Sequence, residues 1–396
     1  MIELRPYQQE AVSAFLSMPD GHGTLAMAPG SGKTIVACAI IKELAARVYQ
    51  ENHPLKPPYT EPSVFRSLIV VPTLVLKDQW EKVLLREGIG SAEIVTYAWA
   101  AQHADDEEFF EQFGITVWDE VHHLGYGQEF RRLLVPAYKA RYSLGLSATP
   151  PLPKDGEENV AVQVMPIVYT YTLSQGQDEG FTAQIEIRPV PVQLTEQERE
   201  QYVKLTGMIQ EMIARYGVEG YVNRPYGKDP ETGETIWGGT ITTERRKLVA
   251  LAEQKYEKLK ELVDEVLPKT NGRVFIWSSY VEALEKAKAV LNVNGKQIAE
   301  LVTGETPKKE RRRIIEQAWG RDFPVLLVAN VGSEGLDAPE AAVGIVLAGA
   351  KTRRETVQRL GRLLRPQPNK KAKIYILFAS NTSDEKIIPL FDLATE

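Results

Sequence analysis

Short, almost uniformly apolar runs punctuate the chain at 24–27, 68–71, 115–118 and 142–146, and again at 273–277, 297–301, 324–328, 343–347 and 373–379. Runs this short, apolar at nearly every position, suit strands covered on both faces. Helical spacing fills the stretches between them: 6–18, a segment opening at Lys33, another at Tyr280, and one at Pro307, for which Thr306 and Pro307 read as N-cap and first-turn residue. Strand and helix therefore alternate, the pattern of a mainly parallel sheet with helices on both faces. The alternation runs twice without any short-period repeat in the sequence. An α/β class with two similar parallel-sheet lobes in tandem is expected, the first over 1–168 and the second over 169–396.

Two stretches depart from the alternation. Residues 51–66 hold four prolines and read as a surface loop. Residues 195–216 and 242–267 read as two long helices joined by the glycine-rich segment 217–241, so 195–267 is expected to be a helical hairpin projecting from the second lobe. The joining segment carries Tyr221, Tyr226 and Trp237, which can stack on bases, with Arg224 and Lys228. Its four acidic residues outweigh those two cations and favour a flexible linker over a wedge.

Composition narrows the class. A chain of 396 residues fits two or three domains, and 43% hydrophobic with 25% charged residues is ordinary for a globular protein. No apolar run approaches the ~20 residues needed to span a bilayer, and the first residues lack a signal core, so neither a membrane nor secretion is expected. The single cysteine, Cys38, cannot form an internal disulfide, which fits the cytoplasm. A net charge of −6 argues against coating nucleic acid by bulk charge, but not against a narrow basic track.

The chemistry concentrates at two places. Pro29-Gly30-Ser31-Gly32-Lys33-Thr34 follows a predicted strand and opens a predicted helix. Glycines there permit tight backbone angles that turn successive N–H groups toward phosphate oxygens, and the helix N-terminus adds partial positive charge. Lys33 would reach the outer phosphates, and Thr34 would offer a hydroxyl to Mg²⁺. The bland reading, a glycine-rich turn with a solvated lysine, does not explain the order strand, loop, helix. Met27 stands where the full phosphate-loop pattern has its first glycine. Asp119 and Glu120 close the apolar run 115–118. An acidic pair at a strand end is usually solvated, but with the phosphate loop upstream Asp119 becomes a metal ligand and Glu120 the base that activates water. His122 and His123 lack further ligands at zinc spacing. His122 either links the nucleotide site to a neighbouring segment or is a structural imidazole.

With GSGKT at 30–34, DEVH at 119–122 and Ser147-Ala148-Thr149-Pro150 in this order, the chain resembles the superfamily-two helicases over almost its whole length, and DEVHHL, the stretch after 150, 178–181 and QRLGRLLRP point to the XPB and UvsW branch. The resemblance implies two RecA-like lobes, a thumb-like insertion in the second matching 195–267, ATP and Mg²⁺ as cofactors, and DNA (single-stranded, forked or branched) as partner, with accessory repair, recombination or nuclease proteins. It implies that Arg5 and Gln8 read adenine. Ser147 and Thr149 couple the lobes. Thr73, Thr96, Thr303, Gly304, Gly332 and Ser333 hold a nucleic-acid backbone, with Gln79-Trp80 in the first of those segments. Gly335 and Asp337 lie near the ribose, while Gln358, Arg362 and Arg365, on one helix face, enter the ATP site from the second lobe as catalytic groups. An arginine common after the SATP segment is not obvious here. No damage-recognition domain is expected ahead of the first lobe. A nucleic-acid clamp without unwinding and an RNA remodeller are the rival readings.

Among weaker features, Lys308, Lys309, Arg311, Arg312 and Arg313 are either a solvated helix start or a phosphate contact. Cys38, Trp277 and Trp319 read as core.

Overall fold

The computed structural model describes residues 3–52, 65–125, 130–148, 160–181, 184–230, 232–270, 273–293, 295–329, 341, 343–348, 371–389 and 391. Two six-stranded sheets carry the fold. The first contains β1 (His22–Met27), β2 (Ser67–Val71), β3 (Ala92–Thr96), β4 (Ile115–Asp119), β5 (Ser143–Ser147) and β6 (Ile167–Tyr171), ordered β3-β2-β4-β5-β1-β6. The second contains β7 (Gln184–Val192), β10 (Val274–Ser278), β11 (Ala299–Val302), β12 (Val325–Val328), β13 (Val343–Ala348) and β14 (Lys371–Ala379), ordered β11-β12-β10-β13-β14-β7. A separate antiparallel pair joins β8 (Pro225–Lys228) to β9 (Thr235–Trp237). Every pairing within the two large sheets is parallel. Tandem parallel-sheet lobes are therefore what the chain builds.

Burial follows the sequence pattern. β1, β2, β4 and β5, like β10, β12 and β13, are buried at every position, as suits their largely apolar runs. The edge strands β3, β6 and β7 are only partly buried, and β7 carries Pro189 and Pro191, residues confined in sheets to edges or bulges. The expected lobe boundary between 168 and 169 falls inside β6, which pairs with β1 along Ile167–Tyr171. The chain leaves the first sheet only after Tyr171, through a short helix, Leu173–Asp178, started by a Thr172–Gln175 capping box.

Helices α1 (Pro6–Leu16), α2 (Lys33–Asn52) and α3 (Leu74–Glu87) flank the first sheet. Cys38, on α2, is core as expected, and burial pushes its thiol up to about 12. Trp277 and Trp319 are core as well. No described helix is long and apolar enough to cross a membrane.

The helical insertion differs from expectation. After α4 (Glu196–Tyr216), the second long helix is two: α5 (Gly238–Ala250) and α6 (Glu253–Val266). The break lies at Leu251 (ψ 8°) and Ala252 (ψ 129°), where the backbone leaves helical values. Tyr256, Leu259, Leu262, Val263 and Val266 recur at helical spacing and bury α6 against the second sheet, so it belongs to that lobe's core. Only α4 and α5 pair as a hairpin, around their own cluster of Leu205, Ile209, Met212, Tyr221 and Ile241. The joining segment is structured rather than a plain linker: it contains a 3₁₀ turn, Tyr221–Asn223, and the β8–β9 pair. Tyr221 is buried with its hydroxyl 3.0 Å from Thr242 Oγ1, whereas Trp237 stays exposed. Thr306 does not cap the helix after it; its hydroxyl accepts from the Thr303 N–H, and Pro307 occupies the cap position.

Candidate active site

Strand order assembles the site. β5 lies between β1 and β4, with Ala26 opposite Ser147 and Asp119 opposite Leu146. The C-terminal ends of three adjacent parallel strands thus bring the phosphate loop, Ser147 and the 119–120 acidic pair to one edge, where ligands bind in open α/β sheets.

In the loop, Gly30 and Gly32 take φ of 78° and 86°, values at which a side chain is strained. A Cβ on Gly32 would also lie 2.5 Å from Gln8 Nε2. Ser31 is buried, its hydroxyl donating to Ala28 O at 2.7 Å. Lys33 Nζ donates to Met27 O at 3.0 Å, so the cation rests across the mouth of the loop. From α1, the Tyr7 hydroxyl and Gln8 Nε2 both donate to Ser31 O at 2.8 Å. Gln8 Oε1 accepts the Arg5 N–H at 3.0 Å. Each end of the Gln8 amide is thereby engaged by the protein, leaving one N–H and one lone pair for a base. The Arg5 guanidinium sits 4.8 Å from the Phe181 ring centroid, and Tyr7 stacks on Tyr171 at 3.9 Å.

At the end of β4, Asp119 is buried and holds two donors: Trp80 Nε1 at 2.8 Å on Oδ2, and the Glu120 N–H at 3.0 Å on Oδ1. Glu120 has φ of 52°, a left-handed conformation costing of order 1–3 kcal/mol that recurs at functional sites. Its carboxylate is only partly buried and lies 3.3 Å from His122 Nδ1. His122, fully buried, also has Nδ1 3.2 Å from Ser147 Oγ. His122 Nδ1 thus lies between the acidic pair and the end of β5.

Of the candidate backbone-holding threonines, Thr96 ends β3, while Thr73 and Thr303 lie just beyond β2 and β11. Thr73 caps α3 by accepting from Leu76 N, and Thr96 caps the helix Tyr97–Gln102 by accepting from Trp99 N. Each hydroxyl acts as acceptor there and keeps its proton to donate. Thr303 and Gly304 follow β11, and Arg311 Nη2 donates to the carbonyls of Thr303, Gly304 and Thr306. Arg313 pairs with Glu310, so two members of the basic run have intramolecular roles. Thr149, Gly332, Ser333, Gly335, Asp337, Gln358, Arg362 and Arg365 lie outside the described residues.

Trp80, expected in a backbone-holding segment, is instead buried and bound to Asp119. Burial of a tryptophan one turn and more along an amphipathic helix was legible, its partner 39 residues away was not.

Known proteins match both halves. The model for the res subunit of type III restriction enzymes matches residues 1–106 and 87–152, and that for the helicase conserved C-terminal domain matches 254–367. The DNA 3'-5' translocase XPB2 of Sulfurisphaera tokodaii is 26% identical over 98% of this chain and 84% of its own length. The DNA 3'-5' helicase XPB of Kineococcus radiotolerans is 26% identical over 96% of this chain and 61% of its own length. The chain spans less than two thirds of the length of several such relatives. Among solved structures, the Hef helicase domain of Pyrococcus furiosus shares the fold at TM-score 0.62 and 17% identity, covering 97% of each chain. With the loop, the acidic pair and the strand order that carries them, these matches support a superfamily-two helicase on the branch that holds the XPB proteins.

Proposed function

We propose that the chain hydrolyses ATP at the C-terminal edge of the first sheet and uses the cycle to move along or unwind DNA. The observation that carries this is the convergence of Lys33, Asp119, Glu120, His122 and Ser147 on one sheet edge. The donor set fits a polyphosphate with a divalent ion: a cradle whose backbone angles glycine adopts freely, a lysine resting on a carbonyl, and a buried carboxylate fixed by two N–H groups. Thr34 and Asp119 would hold Mg²⁺, which when bound neutralises charge on the β- and γ-phosphates.

The remaining steps fall to the chain's own residues. Lys33 exchanges the Met27 carbonyl for phosphate oxygen. Glu120 orients the attacking water and takes its proton. His122 and Ser147 carry the state of that carboxylate into the segment after β5, where Thr149 continues it. Gln358, Arg362 and Arg365 close from the second lobe onto the γ-phosphate, with Gly335 and Asp337 toward the ribose. Apolar contact of Ala28 and Ala148 with the second lobe's cluster supports such a seam beside the loop. Thr73, Thr96, Thr303, Gly304, Gly332 and Ser333 hold the strand backbone, contacts that carry no base sequence. We take the first lobe to run through β6, the second to begin at β7, and α4–α5 to be the thumb. The relatives named as DNA translocases and helicases support DNA as the polymer.

The test is ATP hydrolysis and strand displacement on single-stranded, duplex, forked and four-way DNA with matched RNA. Hydrolysis stimulated by DNA, with displacement, is expected. Stimulation by RNA alone overturns this reading in favour of a remodeller, and DNA-stimulated hydrolysis with neither displacement nor movement along the DNA overturns it in favour of a clamp.

A further inference from the structure

Trp80 sits on α3 with 1% of its surface exposed, inside the first sheet's apolar cluster. Its single polar group, a donor only, meets Asp119 Oδ2 at 2.8 Å, while the Glu120 N–H meets Oδ1. A carboxylate with a separate donor on each oxygen is held against rotation about its Cβ–Cγ bond. The helix that carries Trp80 begins at Thr73, whose hydroxyl caps it. Two turns, about 10 Å at 1.5 Å per residue, separate that cap from the indole.

We propose that Trp80 is a positioning residue for the ATPase reaction: its indole N–H fixes Asp119 in the orientation that binds the metal, and α3 makes that orientation respond to a polymer held at Thr73. The proposal rests on the ATP-site reading above. Groups that hydrogen-bond a metal ligand from behind tune affinity by about 10- to 100-fold, so the indole has room to act.

Two substitutions separate this role from packing. Trp80→Phe keeps an aromatic ring and removes the donor. Trp80→His loses the larger ring, but its Nε2–H occupies the same position relative to Cγ as the indole Nε1–H. The measurement is the Mg²⁺ concentration that half-saturates binding of a fluorescent ATP analogue, with and without single-stranded DNA, beside nucleotide binding in EDTA and the thermal midpoint. Trp80→Phe is expected to need about 10-fold more Mg²⁺, to lose the DNA-induced shift in that requirement, and to bind nucleotide in EDTA as the parent does. Trp80→His should fall between parent and Trp80→Phe despite the larger packing loss. Parental Mg²⁺ dependence in Trp80→Phe, or a greater requirement in Trp80→His than in Trp80→Phe, overturns the proposal. Nucleotide binding by the parent that ignores Mg²⁺ altogether would instead overturn the ATP-site reading.

Discussion

At the edge of the first sheet, buried polar side chains face one another across three strand ends: Ser31 beneath Tyr7 and Gln8, Asp119 against Trp80, His122 between Glu120 and Ser147. In the second lobe, the described buried charge lies elsewhere, where hairpin meets sheet. Lys255, on α6, is fully buried and donates to Leu347 O at 3.0 Å and to Asp384 Oδ2 at 2.6 Å. Asp384 Oδ2 also accepts the Ala379 N–H, and the neighbouring Ser383 N–H donates to the Tyr202 hydroxyl of α4. Glu198 of α4 accepts the first N–H of α6. The first lobe arranges its buried polar groups around exchangeable contacts, since Lys33 on a carbonyl can move to a phosphate. The second arranges them as a fixed joint, closed on the protein itself. Disturbing the first should change turnover, and disturbing the second should change stability.

The largest effects are expected at the seam. Glu120→Gln should lower turnover by roughly 10²–10⁴-fold while still binding nucleotide. Arg365→Ala, on the opposing lobe, should cost on the order of 10³ or more in DNA-stimulated hydrolysis. Neither should move the thermal midpoint much. Parental hydrolysis by either variant removes that residue from the chemistry and breaks the contrast on its functional side.

Next comes the joint. Removing one partner of a buried ion pair leaves the other charge unpaired, at a cost of about 3–5 kcal/mol. Lys255→Met should therefore lower unfolding stability by that order in denaturant titration, with turnover per folded molecule unchanged. Adding Asp384→Leu should recover much of the loss, because an apolar pair replaces the ionic one. A stability loss well under 1 kcal/mol in Lys255→Met, or a selective loss of turnover, would show that the joint belongs to the motor rather than the scaffold.

What could be read beforehand follows the same division. Strands buried on both faces announce themselves as apolar runs, and the loop and acidic pair as local spacings, so the two lobes, and the loop and acidic pair that meet at one sheet edge, were legible. β3, β6 and β7 were not: Glu93 and Thr96 interrupt β3, Thr170 interrupts β6, and Glu186, Arg188 and two prolines interrupt β7, so β6 fell across the expected boundary. The split between α5 and α6 was hidden as well, since Leu251 and Ala252 are good helix formers and only burial of α6 on the sheet breaks the helix there. Pairings such as Trp80 with Asp119 or Lys255 with Asp384 depend on topology, and no spacing encodes them.

The smallest effect sharpens the comparison most, because it tests a buried hydrogen bond whose loss orphans nothing. Tyr7→Phe keeps the ring against Tyr171 and removes the hydroxyl that donates to Ser31 O. Gln8 Nε2 still donates to that carbonyl, so the cost should be about 1 kcal/mol or less, well below that of Lys255→Met. Burial raises the Tyr7 hydroxyl above its ordinary value of 10.0, with Arg5 opposing. A raised folded-state value means its stabilisation is complete below 10 and is lost as pH climbs through the folded value. The stability gap between parent and Tyr7→Phe in urea should therefore hold steady from neutral pH to about 9 and narrow beyond 10, the reference value in the unfolded chain. A gap that widens at high pH, or one as large as that of Lys255→Met, would mean that the loop is a fixed joint too, and that the two lobes do not differ in the way their buried polar groups suggest.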